Sequence, residues 1–361
     1  MKLNLLSGDA VGSRPLKVLL IAIVIMLFAT PFVLPGAKPL NVAAQICIYT
    51  VLVASFDLLL GYTGIVSFAQ TMFFGIGAYG VAMSISTFGA TWLALVGGIG
   101  AALLLSALFA LVIGLFSLRV RALFYAMITL AVASAFQTLV SQMSEFTGGE
   151  DGLSFSVPAL LSPATTFFDG PIFGLKIDGK VVSFYLIAAL SVVLFLALLR
   201  IVNSPFGRVL QAIRENDFRA EALGYRTVVY RSLSNVVSAL FATLAGAMLA
   251  VWLRYNGPDT SLSFDIMVSL LLMVVIGGMG TLYGALIGAT VYVIAQSYLQ
   301  DLMKLASETA AHAPAIGGVL ATLLSPDRWL LWLGVLFVLS VYYFPSGIVG
   351  RFRAANGALP P

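Results

Sequence analysis

The chain alternates long apolar blocks with short polar connections. Apolar blocks fall at Val18–Leu34, Val42–Leu60, Ile65–Thr87, Thr91–Leu118, Ala122–Gln142, Val182–Val202, Ser232–Trp252, Phe264–Ile276, Tyr283–Leu299 and Trp329–Phe344. A bilayer core about 30 Å thick takes roughly 20 helical residues to cross, and most of the blocks approach that length. Inside lipid every backbone N–H and C=O must be satisfied within the protein, which leaves helices as the natural reading of such blocks. The pattern therefore predicts an all-α polytopic membrane protein with about ten transmembrane helices. The eighth block is short and runs into Gly277-Gly278-Met279-Gly280, the signature of a broken or re-entrant helix. Lys2, Arg14 and Lys17 precede the first block and no small-x-small cleavage site follows it, so it reads as a first transmembrane helix rather than a removed leader.

Composition agrees. Hydrophobic residues make up 60% of the chain and charged residues 9%, against roughly 25% charged in a soluble domain. The net charge of +4 does not point to nucleic acid, because the basic residues are scattered among the blocks. Their scatter has a sidedness. Ten crossings place both termini on one side. That side then carries Lys2, Arg14, Lys17, Arg119, Arg121, Arg200, Arg208, Arg214, Arg219, Arg226, Arg231, Arg351 and Arg353. The other side holds Lys38, Lys176, Lys180, Arg254, Lys304 and Arg328. Lys and Arg concentrate on cytoplasmic loops, so the expected topology is N-in and C-in. Residues 143–181 and Gln300–Arg328 become outer loops. No linker suggests a second domain, so residues 1–361 read as a single transmembrane domain.

Candidate chemistry is sparse. One cysteine, Cys47, and one histidine, His312, make a Cys/His metal site within this chain untenable and leave no catalytic cluster. Gly174–Val181 approaches a phosphate-binding loop but ends in Val181, which lacks the hydroxyl that holds magnesium, and no strand–helix context surrounds it. Asp57 is the clear ionisable residue within a span; it is either a pathway residue or a hydrated residue at the boundary. So few charges within spans argue against a self-powered carrier. Gly61–Gly80 combines glycines with Ser67, Gln70 and Thr71; such a run serves helix packing or lines a passage for a small solute.

The most informative segment is the charged island Pro205–Tyr225, within the 203–227 loop. Val209, Ala212, Ile213, Ala220 and Leu223 recur at helical spacing opposite a charged face, which predicts a short amphipathic helix. Positive-inside bias accounts for its arginines. It does not account for the interleaved Glu215, Asp217 and Glu221, which suit a protein partner.

Arg219-Ala220-Glu221-Ala222-Leu223-Gly224 resembles the short loop by which ABC importer permeases dock on their ATPase. Together with PFGRVLQAIREND, GYTGIVSFAQTMFFGIGAY, LRVRALFYAMITLA, TGGEDGL, GGMGTLYGALIGA and FPSGIVG, it is similar to the LivM-type permease subunits of branched-chain amino acid importers, from about Gln45 to Gly350. The chain departs from that family's pattern at Asp57, Ala69, Ala122 and Ala285, and these departures bear on which solute is moved. The resemblance implies a multi-pass protein of the bacterial cytoplasmic membrane that does no covalent chemistry. It implies a homologous second permease and two ATP-binding subunits that hydrolyse ATP in place of this chain. An extracytoplasmic substrate-binding protein completes the assembly. The implied solute is a branched-chain amino acid, urea, a short amide or an aromatic acid. Arg214, Glu215, Asp217, Glu221 and Gly224 are the expected coupling contact. Asp57, Ser67, Gln70 and Thr71 are candidates for the substrate pathway. The competing reading is a secondary transporter that works alone.

Overall fold

The computed structural model describes residues 14–34, 36–116, 122–165, 178–311, 325–343 and 347–354. Arg119, Arg121, Lys176, His312 and much of the expected outer loop lie outside the described residues. Among the described residues fifteen α-helices follow in order: α1 (Arg14–Val33), α2 (Ala37–Asp57), α3 (Gln70–Phe88), α4 (Trp92–Phe116), α5 (Ala122–Gln142), α6 (Ser144–Thr147), α7 (Gly179–Val202), α8 (Pro205–Glu215), α9 (Asp217–Ala222), α10 (Thr227–Leu253), α11 (Pro258–Ser261), α12 (Phe264–Gly277), α13 (Leu282–Ala311), α14 (Trp329–Tyr343) and α15 (Gly347–Ala354). A π turn, Leu58–Thr63, continues α2 without a break.

Among the described residues nine helical segments are long and apolar enough to cross a membrane. Burial sorts them. The α2 segment has 89% of its apolar window inside the protein, whereas α1 has 22% and α4 and α5 have 28% each. Thus α2 is the axial helix, and the other three turn most of their surface outward, as helices do where the surroundings are as apolar as their side chains. Small residues set the closest contacts. A Cβ on Gly77 of α3 would lie 1.9 Å from the Thr243 carbonyl of α10, and one on Gly246 would lie 1.8 Å from that of Phe74. Only glycine lets these two backbones meet, so part of the glycine run is packing.

Three expected boundaries change. Residues 65–69 of the third block are not helical, because Gly64 takes φ +74° and closes the π turn before α3 begins. The eighth block is extended by a broken helix: α11 and α12 are separated at Leu262 and Ser263, and together they make a segment, Pro258–Gly277, long and apolar enough to cross a membrane. It starts where α10 ends and reaches the opposite end of the bundle, where Gly280 meets Gly61. The ninth block continues as α13 to Ala311, so the first part of the expected Gln300–Arg328 loop is helix. The tenth begins at Trp329 as expected, and its described residues, the 15 of α14, make a helix of about 22 Å.

At the far end of α10 a two-residue ribbon pairs β1 (Leu153–Ser154) with β2 (Tyr255–Asn256), antiparallel, pinning the 143–165 segment to the bundle. At the near end, Gly347 of α15 packs backbone to backbone on Gly278. The last described helix therefore shares an end with α8 and α9.

Candidate coupling surface and its connection to the bundle

The charged island forms two helices rather than one. Ser204 caps α8 by accepting from the Gly207 amide, and Pro205 occupies the first turn, where its missing N–H costs nothing. Val209, Leu210 and Ile213 bury against the bundle. At Asn216 the backbone becomes extended (φ −158°, ψ 104°) and the side-chain oxygen accepts from the Arg219 amide at 3.0 Å, starting α9. Gly224, at φ +90°, ends α9, with its amide on the Glu221 carbonyl at 2.8 Å. The break at Asn216 swings the second helix round. Ala220 stays buried while Leu223, expected on the same apolar face, is 71% exposed and Phe218 is 85% exposed. Ala212, likewise expected on the buried face, is exposed.

The two helices are braced from behind. Asp217 pairs with Arg231 of α10 at 2.8 Å, and Glu221 accepts from the Thr227 hydroxyl at 2.7 Å. Phe206 stacks on Tyr230, and Tyr225 meets Tyr230 edge to face, with ring centroids 5.8 and 5.9 Å apart. They line an open groove of about 640 Å³ with Val209, Ala212 and Leu233. Two of the expected contact residues, Asp217 and Glu221, are thus engaged within the chain. Glu215 and Gly224 are exposed. Arg214 is exposed as well, while its guanidinium donates to the Gly61 carbonyl. The apolar Phe218 and Leu223 were missed by sequence reasoning. The signal was present, since a phenylalanine between Asp217 and Arg219 is out of place on a purely solvated helix.

The four pathway candidates are all buried. Asp57 is 1% exposed, and its Oδ1 accepts from the Gly280 amide at 2.9 Å. Gln70, at the start of α3, donates from Nε2 to Ser55 Oγ at 2.8 Å and to Ser238 Oγ at 3.2 Å. Ser238 in turn donates to the Ser55 carbonyl at 2.6 Å. One amide thereby ties α2, α3 and α10 together. Ser67 lies in the non-helical 64–69 segment, its hydroxyl accepting from the Ala69 amide at 3.4 Å, and Thr71 is buried in the first turn of α3. Ser55 and Ser238 were not singled out from sequence, because a lone serine in an apolar run carries no periodic mark. Among the described residues no group of His, Cys, Asp and Glu could hold a metal ion.

Comparison with known proteins agrees with this architecture. The family model for the branched-chain amino acid transport system permease component matches residues 38–341. The chain is 27% identical to the high-affinity branched-chain amino acid transport system permease protein LivM of Escherichia coli, over 95% of this chain and 78% of that protein. It is equally similar to the LivM of Salmonella typhimurium, over 93% and 76%. A probable LivM of Methanocaldococcus jannaschii is 26% identical over 61% of this chain and 58% of that protein. These relatives are transport permeases, not enzymes. With a matched region that runs from the start of α2 through most of α14, this multi-pass membrane protein belongs to the branched-chain amino acid transport permease family and is a permease component of an ABC-type transporter.

Proposed function

We propose that the chain is the permease subunit of an importer that brings branched-chain amino acids, or a related small polar solute such as urea, a short amide or an aromatic acid, into the cytoplasm of a bacterium. It is a single transmembrane domain of residues 1–361 in the cytoplasmic membrane, N-in and C-in, with 203–227 in the cytoplasm and 143–181 outside. It pairs with a homologous permease and receives solute from an extracytoplasmic binding protein. ATP is hydrolysed by two subunits beneath it, not by this chain.

The observation that carries this reading is the pair of exposed apolar side chains, Phe218 and Leu223, on a short helix braced to α10 by Asp217 and Glu221. A rigid helix presenting an aromatic knob among charges suits a groove on a protein. In this reading Phe218, Leu223 and Glu215 touch the ATPase, while Asp217, Glu221 and Gly224 hold α9 in its docking pose. Ser67, Gln70, Thr71 and Asp57 act on the pathway by fixing where α3 begins against α2 and α10. The test is purification of this chain with its co-expressed ATP-binding subunits, followed by leucine uptake into proteoliposomes with and without internal ATP. Co-purification and ATP-dependent uptake are expected. Uptake by this chain alone, driven by an ion gradient, would establish the secondary transporter instead.

A further inference from the structure

We propose that Arg214 is the positioning residue that carries motion of α8 and α9 into the bundle, by gripping the Gly61 carbonyl in the π turn of α2. This rests on the reading of α8 and α9 as the ATPase-docking unit.

Four segments converge on this one side chain. The Arg214 guanidinium donates to the Gly61 oxygen, 153 residues away in sequence. Gly61 lies in the π turn, whose wider hydrogen-bond ladder is a recurrent site of function within helices. The third segment is the turn between α12 and α13. Its Gly280 amide donates to Asp57 Oδ1 at 2.9 Å, and a Cβ on Gly280 would lie 2.9 Å from Arg214 Nη1. A Cβ on Gly61 would lie 2.1 Å from Asp57 Oδ1 and 2.3 Å from the Gly280 nitrogen, so the contact has no slack. The fourth segment leaves through Gly64. A Cβ there would meet Arg214 Cγ at 3.2 Å, and φ is +74°, a conformation that reverses the chain toward α3.

A guanidinium suits this task because it is planar, permanently charged and offers donors in a fixed fork, whereas an ammonium is a flexible point charge. Displacement of α8 drags Gly61 or breaks the bond. Beyond Gly64 the chain leads directly to Gln70, which is tied to Ser55 and Ser238. Motion at Gly61 therefore reaches the start of α3, where α2, α3 and α10 meet. A residue that merely touched the ATPase would have no need to hold a backbone carbonyl inside the bundle.

The test uses the purified importer complex with Arg214→Gln and Arg214→Lys. Hydrogen exchange of residues 205–226 and 58–70 is followed with and without ATP plus vanadate, a readout that needs no knowledge of the solute. In the unaltered complex both segments respond. In Arg214→Gln the ATP-binding subunits remain bound and 205–226 still responds, but 58–70 does not. ATP-driven leucine uptake then falls about tenfold, as expected when a coupling contact is lost. Arg214→Lys gives an intermediate response, and it decides the matter if the glutamine variant does not assemble. An undiminished response of 58–70 in the lysine variant, or in an assembled glutamine variant, overturns the proposal. Loss of the ATP-binding subunits from an otherwise intact Arg214→Lys permease also overturns it, because Arg214 is then a docking contact. Absence of any response in 205–226 of the unaltered complex defeats the docking reading itself, a result distinct from either variant's failure.

Discussion

At the scale of single residues, a buried polar group is defined by what it holds. Asp57 accepts from the Gly280 amide, and a leucine in its place would leave that half-buried N–H without its acceptor, at a cost of at most about 1–3 kcal/mol. Asparagine keeps an oxygen of the same reach. Asp57→Asn is therefore expected to insert and transport close to normally, and Asp57→Leu to lower both thermal stability and uptake at equal expression. Uptake kinetics and melting of the two variants in detergent check this. Loss of uptake in the asparagine variant would mean that the charge itself is required. Gln70 presents the same arithmetic with two partners. Gln70→Leu removes its bonds to Ser55 and Ser238 and is expected to cost about 1–3 kcal/mol, read as a lower melting temperature of the complex. An unchanged melting temperature would show that the tie contributes nothing to holding α3 in place.

At the scale of elements, α9 is held by several small interactions whose sizes differ. The Asp217–Arg231 pair is about one-third exposed on each side, and ion pairs of that kind contribute about 0–1 kcal/mol. Asp217→Asn alone is therefore expected to cost at most about 1 kcal/mol, because the Glu221–Thr227 bond and the buried Ala220 still hold α9. Gly224 is different. A Cβ there meets nothing within 4 Å, so space is not the obstacle, but φ +90° is hostile to a branched residue and a left-handed residue costs about 1–2 kcal/mol. Gly224→Val should disorder the end of α9 and reduce uptake relative to ATP hydrolysis while leaving membrane insertion intact. Measuring both rates in the reconstituted complex tests it, and normal coupling would remove Gly224 from the account. Phe218→Ala deletes the exposed ring and should weaken association with the ATP-binding subunits by at least about tenfold, in the range of an interface anchor. A pull-down titration with unchanged affinity would remove Phe218 from the interface. The sequence made the helical island legible because period and charge coincide in α8. The break at Asn216 was only hinted at: the apolar period lapses between Ile213 and Ala220, where the face carries Asn216 and Asp217. The π turn was equally hidden: Leu58, Leu59 and Leu60 continue the apolar run, and only Gly61 and Gly64 hint that the ladder changes there.

At the scale of the whole molecule, block lengths revealed the class of fold. They could not reveal how deeply each helix is buried, because in lipid an apolar residue is at home on either side of the boundary. Polar content is the better mark: the axial α2 carries Asn41, Gln45, Thr50, Ser55 and Asp57, whereas the peripheral α4 carries one hydroxyl, Ser106. The two ends of the bundle are marked by distinct elements: α8, α9 and the glycine turn at one, the short ribbon of β1 and β2 at the other. Lys and Arg near a crossing favour the cytoplasmic side, and Arg208, Arg214, Arg219, Arg226 and Arg231 all cluster on or beside α8 and α9. With Cys47 replaced by alanine, single cysteines placed at Glu150 or Asp259 should react with an impermeant maleimide applied to intact cells. Cysteines at Arg208 or Phe218, both exposed, should react only after the membrane is permeabilised. Inverted labelling would place α9 outside the cell, away from any ATP, and would end the coupling reading along with the orientation.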